Sequence, residues 1–141
     1  MSATPLPARC ATALKEWATV LEAMARGQQV VLIRKGGLIE PGGGFELVSP
    51  SFVFYPTFEH QAVTYLRPPY QPYFAEALRR RAPEGEVRMD LCGLAVLSVQ
   101  SRDPTVVDRL SDFHVYNQAF ASQRLKWQPD QPLTIVVVRA C

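Results

Sequence analysis

The apolar positions of the chain switch between a period of three to four and a period of two, and each switch marks an element. After Thr12, a residue suited to capping, Leu14, Trp17, Leu21 and Met24 recur every three or four residues, the spacing that predicts an amphipathic helix. Gly27 stops it. Gln29 to Ile33 is a Val/Leu/Ile run between Gly27 and Gly36-Gly37, read as a buried strand. From Gly36 to Gly44, five glycines and one proline predict a loop. Phe45 and Leu47 alternate with Glu46, and Phe52 to Tyr55 follow across Pro50, so two strand pieces joined by a turn are expected, the second ended by Pro56.

The three prolines between Arg67 and Pro72 force an extended linker. Tyr73 to Arg81 is read as a helix with Phe74 and Leu78 on one face and the run Arg79-Arg80-Arg81 in its last turn, where cations suit the helix dipole. Glu86 to Gln100 is the longest strand candidate; Leu94, Val96 and Leu97 predict burial on both faces, and Gly93 a bulge. Asp103-Pro104 opens a short helix carrying Val106, Val107 and Leu110, Ser111 caps a second helix through Leu125, and Leu133 to Val138 is a buried strand. This order lacks the regular alternation of a doubly wound parallel sheet. The expected fold is α+β: a mixed, mostly antiparallel sheet or small barrel, with an N-terminal helix and further helices at the edges.

Length and composition agree with one unit. At 141 residues, 48% hydrophobic and 20% charged, the chain is expected to form a single domain over 1–141, with 1–11 loosely ordered; halves split at the prolines would be near the lower limit for a core. No apolar run approaches the roughly 20 residues of a membrane span, and no signal peptide is read at the N-terminus, so a cytoplasmic location is expected. Cys10, Cys92 and Cys141 are odd in number and far apart, fitting neither a disulfide framework nor a CxxC metal site, and are read as reduced thiols. A net charge of +2 argues neither for nor against a nucleic-acid partner.

Four groups of residues carry candidate chemistry. Arg34-Lys35-Gly36-Gly37 sets two cations at a strand end before a backbone open to close approach, which suits a phosphate or carboxylate; exposed strand ends also carry such charge, and the loop lacks both the Gly-Lys-Ser/Thr ending and the GxGxxG spacing, so no cofactor is expected. Tyr55-Pro56-Thr57-Phe58-Glu59-His60-Gln61 is the densest polar and aromatic block, with Tyr55, Thr57 and Gln61 as candidate ligand contacts. Glu59 and His60 are a candidate base and partner, provided the backbone turns between them; the bland alternative is a hydrogen bond that steadies a loop. His114, the other histidine, lies between Phe113 and Tyr116, and two distant histidines without further ligands do not make a metal site. Arg124, Lys126 and Trp127 alternate cation, apolar residue, cation and indole, suited to gripping phosphate and stacking on a base, or equally to ending a helix.

The blocks ALKEWA (13–18), LIRKGG (32–37), YPTFEHQ (55–61), DFHVYN (112–117) and RLKWQPDQPL (124–133), in this order, resemble the uncharacterised bacterial family called domain of unknown function 1802. The resemblance spans nearly the whole chain and implies no established activity. Val48-Ser49 stands where relatives are expected to carry a second Glu-His pair, and the final strand stops soon after Arg139. If the first pair is catalytic in the family, this chain is impaired. The segment from Gly27 to Arg34 is also similar to the opening of small RNA-binding barrels of the PUA and ASCH type, which implies RNA or modified nucleotides in a cleft beside that strand. Three functions therefore compete. The leading one is a nucleic-acid or nucleotide binding module in which Arg34, Lys35, Arg124 and Lys126 meet phosphate and Tyr55 or Trp127 stacks. The others are a hydrolase of a phosphate-containing substrate working through Glu59, His60 or His114, and a regulatory domain that binds a protein partner.

Overall fold

The structure, a computed structural model, describes residues 10–35, 50–127 and 129–141. The N-terminal residues to Arg9, Gly36 and Gly37 with the rest of the glycine stretch, and the Phe45 to Leu47 piece lie outside the described residues. Five strands form one mixed sheet: β1 (Ala13–Trp17), β2 (Val31–Arg34), β3 (Ser51–Thr57), β4 (Cys92–Ser101) and β5 (Leu133–Ala140), in the order β1-β3-β4-β5-β2. Among the described residues only β1 and β3 run parallel, and their sheet does not close into a barrel. Its two edges nevertheless meet through one side chain. Arg34, at the end of β2, donates to the Lys15 carbonyl and to Glu16 Oε2 (3.0 Å) on β1. Among the described residues four α-helices lie between strands: α1 (Ala18–Ala25) after β1, α2 (Pro72–Arg79) after β3, and α3 (Val106–Arg109) and α4 (Gln118–Lys126) after β4.

The expected N-terminal helix is split. Ala13 to Trp17 is strand, and the helix begins only at Ala18. Along β1 the outward Ala13 and Lys15 alternate with Leu14 and the buried Glu16, a period of two that the Leu14/Trp17 spacing concealed. Register with β3 sets Lys15 beside Tyr55 and Trp17 beside Thr57. Strand β3 runs through Pro56 rather than ending there: β1 supplies a parallel partner, and proline is tolerated where its missing N–H is not needed by the ladder. The second helix expected from Ser111 is replaced by a 3-10 turn, Ser111–Phe113, an extended stretch through Tyr116, and α4, whose N-cap Asn117 accepts from the Phe120 N–H at 3.2 Å.

The core lies between the sheet and α1, α3 and α4, centred on Trp17, Val20, Leu32, Phe52, Phe54, Phe120 and Val136. Burial on both faces of β4 is corrected: Val96 and Leu97 are 64% and 56% exposed. The bulge in β4 falls between Ala95 and Leu97, not at Gly93, which keeps regular pairing with Phe52 and Ala140. A second correction concerns the cysteines. Cys92 and Cys141 are disulfide-bonded, with Cα atoms 5.1 Å apart, and Cys10 is free. Chain distance hid this pair, because it forms where the two outer ends of β4 and β5 come side by side. Among the described residues no helix is long and apolar enough to cross a membrane.

Candidate functional site

The side chains of β3 alternate. Phe52 and Phe54 enter the core, so Val53 and Tyr55 face the other way. The end of β3 from Tyr55 onward, one side of α1 from Ala18 to Ala25, the C-terminus of α2 and the connector to β4 enclose a cleft of about 650 Å³. Tyr55, Thr57, Phe58 and Glu59 line one side; Lys15, Arg80, Arg81, Arg88 and Asp90 are among the residues opposite and around them. Two cations sit against rings in this space. Lys15 Nζ is 5.9 Å from the Tyr55 ring centre, and the Arg81 guanidinium is 4.4 Å from that of Phe58.

The three arginines that end α2 have separate tasks. Arg79 pairs with Glu76 on its own helix. Arg80 is held by Glu22 of α1 (3.0 Å) and by Asp90 of the connector (3.2 Å), so it joins the cleft walls and is neutralised twice. Arg81 has the ring contact described above. Cations and carboxylates are equal in number in the lining, Glu22, Glu59, Glu86 and Asp90 against Lys15, Arg80, Arg81 and Arg88. Such a balanced lining suits a ligand that offers both negative charge and hydrogen-bond donors.

Several residues singled out from the sequence serve inside the fold. The Lys35 side chain is buried, at 3% exposure for the residue, and its Nζ donates to the carbonyls of Arg124 and Leu125, each at 2.9 Å. It thus caps the C-terminus of α4 with a cation, and burial lowers its pKa. Arg124 lies over Trp17 (5.4 Å) and Phe120 (4.9 Å), and burial lowers its pKa also. Around these side chains a polar cluster ties the sheet edges together: Glu16 accepts from Arg34 and from the Trp17 N–H (2.8 Å), and Gln29 donates to the buried Tyr116 hydroxyl (3.2 Å). Burial pushes that phenol well above its ordinary pKa.

Glu59 lines the cleft and His60 is not among the lining residues. The backbone does turn here, since His60 has φ 66°, a left-handed conformation uncommon outside glycine. Gln61 Oε1 accepts from the Thr19 N–H (3.1 Å) and hydroxyl (3.0 Å), capping α1 from a distant loop. His114 is buried away from the cleft. Its Nδ1 accepts from the Tyr116 N–H (3.1 Å), which requires the proton on Nε2, and that nitrogen donates to the Val107 carbonyl (2.6 Å). With both nitrogens used and burial holding its pKa below the ordinary value, it joins two segments of the core. Lys126 and Trp127 border a shallow hollow with Tyr65, Ser122 and Gln123. Among the described residues no three His, Cys, Asp or Glu side chains gather to hold a metal.

Of the sequence candidates, then, the structure brings Tyr55, Thr57 and Glu59 into one cleft and Lys126 with Trp127 into another hollow. The sequence pattern marks Phe58 only as a member of the 55–61 block and does not mark Lys15, Arg81 or Arg88 as site residues. The arginine run was a visible signal, although an ordinary solvated helix end has the same composition.

The architecture has solved counterparts. The ASCH protein from Zymomonas mobilis superposes with a TM-score of 0.51 at 12% identity, over 90% of this chain and 65% of that one. A mutant of the same protein gives 0.51 at 11% identity, over 90% and 66%. At this identity the likeness concerns the fold alone, and the chain spans just under two thirds of those proteins' length. Among curated proteins, none matches the sequence. The sequence model of the family described as Domain of unknown function (DUF1802) matches residues 13–141, and the chain belongs to that family.

Proposed function

We propose that this protein is a binding module for a nucleotide or an unpaired stretch of nucleic acid, with the cleft beside Tyr55 as its site. The observation that carries this reading is the pair of cation-over-ring contacts inside one cleft, Lys15 on Tyr55 and Arg81 on Phe58. A base stacks on either ring, as every base has a π-face, while the adjacent cations meet phosphate. Glu59 and Glu86, on the same lining, accept from base or ribose donors. The ASCH-like fold agrees with the RNA binding implied by the resemblance of Gly27 to Arg34 to the PUA and ASCH barrels. Arg34, Lys35 and Arg124 then act indirectly, by holding β1 and α4 in place, and Lys126 with Trp127 offers a second contact outside the cleft.

Fluorescence anisotropy with a labelled single-stranded RNA tests the reading. Stacking of one base contributes about 1–3 kcal/mol, so Tyr55→Ala is expected to weaken binding by roughly 5-fold to 150-fold, and Arg81→Ala to lower the salt dependence by about 0.7 in the slope of log K against log salt. Binding that ignores salt, or an affinity unchanged in both variants, refutes it.

A further inference from the structure

We propose that Cys92 and Cys141 form a thiol–disulfide exchange site that sets how firmly one wall of the cleft is held to the sheet. Cys92 is the first residue of β4, and Cys141 follows β5. Their backbones exchange two hydrogen bonds, of 3.1 and 3.0 Å, and their Cα atoms lie 5.1 Å apart, inside the range of about 4.4–6.8 Å that a disulfide spans. The third cysteine, Cys10, takes no part. Cys92 is half-buried and Cys141 exposed, which gives a small thiol access to the bond.

The pair is coupled to the cleft through the residues just before it. Between α2 and β4 the connector from Arg80 to Leu91 contains no helix or strand and supplies one wall of the cleft. At its far end the Leu91 carbonyl accepts from the buried Phe54 N–H (2.9 Å), and Asp90 pairs with Arg80. That ion pair is exposed and worth little. The covalent tie at Cys92, one residue beyond, adds to the backbone hydrogen bonds that Cys92 and Leu91 make to Cys141 and β3, and is the one fixture at this end that a thiol can release.

The chemistry needs a small-molecule disulfide such as oxidised glutathione. The thiolate of one cysteine attacks it, forming a mixed disulfide and releasing one glutathione thiolate. The second cysteine, deprotonated, then displaces the other glutathione. Two protein thiols thereby lose two protons and two electrons, and one glutathione disulfide becomes two thiols. Excess reduced glutathione drives the reverse.

The proposal stands on the cysteine geometry and does not depend on which ligand the cleft takes. The full chain is equilibrated in glutathione buffers of varied ratio, quenched with acid, and its thiols counted by alkylation in denaturant; the exchange of the Phe54 amide is followed by NMR relative to the amides of β2. One thiol per chain is expected at the oxidising end and three at the reducing end. Reduction is expected to speed Phe54 exchange by about tenfold or more relative to β2, Cys141→Ser to match the reduced protein in every buffer, and Cys10→Ala to switch like the parent. Should Cys141→Ser fail to fold, the chemically reduced parent provides the same comparison. Three thiols at every ratio, or a bond that forms and breaks with no change in relative Phe54 exchange, overturns the proposal.

Discussion

Gly93 offers the sharpest test of the packing that places the cleft. It sits buried in β4 against the edge-to-face pair Phe52 and Phe54, whose ring centres are 5.1 Å apart. A Cβ added there meets Phe52 Cε2 at 2.7 Å, Val138 Cγ1 at 2.9 Å and Phe54 Cε2 at 3.0 Å. The backbone is open to alanine, since φ is not in the left-handed region, and restricting the unfolded chain by itself favours Gly93→Ala by about 0.4–1 kcal/mol. Overpacking opposes this at about 1–3 kcal/mol, and it wins because all three neighbours are buried and held from several sides. The expected net loss is about 1–2 kcal/mol. With an unfolding entropy of roughly 2.1 cal/mol/K per residue, that lowers Tm by about 3–7 °C in a calorimetric scan. Phe52→Leu removes the closest contact, so Gly93→Ala is expected to cost less in that background, a coupling that a double-mutant cycle measures. A Tm that stays level or rises in Gly93→Ala, or a cost unchanged beside Leu at position 52, refutes the reasoning.

Other predictions test the supports of the site. Lys35→Met leaves the Arg124 and Leu125 carbonyls without their donor, and a loss of about 2–3 kcal/mol is expected in urea unfolding; an unchanged midpoint contradicts the capping role. The folded pKa of His114 lies below its ordinary 6.5, so between the two values the unfolded chain binds more protons. Its stabilising contribution is therefore complete above the unfolded value and lost as pH falls through the folded one. Urea midpoints at about pH 7.5 and about pH 5 should show that fall, and His114→Gln should flatten it. Reducing the Cys92–Cys141 bond, which closes a loop across 49 positions, is expected to remove about 4 kcal/mol on the chain-entropy account, visible as a Tm lower by roughly 10–15 °C.

Local pattern was enough for what local physics governs. The Val31–Arg34 strand, the helix ending in the arginine run and the final strand all follow from runs and periods a few residues long, and the mixed α+β class follows from their order. Tyr55, Thr57 and Glu59 were legible as a polar and aromatic block leaving a strand. Their companions were not, for Lys15 and Arg81 reach the cleft from elements about 40 and 26 positions away, and nothing in either segment announces the other.

The remaining features depend on which segments become neighbours. Ala13 to Trp17 has a helical stripe, yet hydrogen bonding to β3 offers its backbone a parallel partner, and that pairing overrides propensity. Leu94 to Leu97 is apolar in sequence, yet its burial depends on whether another layer covers it. Lys35 looked like a free cation until the end of α4 met its amine, and Cys92 found Cys141 only because β4 and β5 lie side by side. Period and composition describe the surface each element presents; what meets that surface is set by contacts between positions far apart in the chain, whose energies no short window contains.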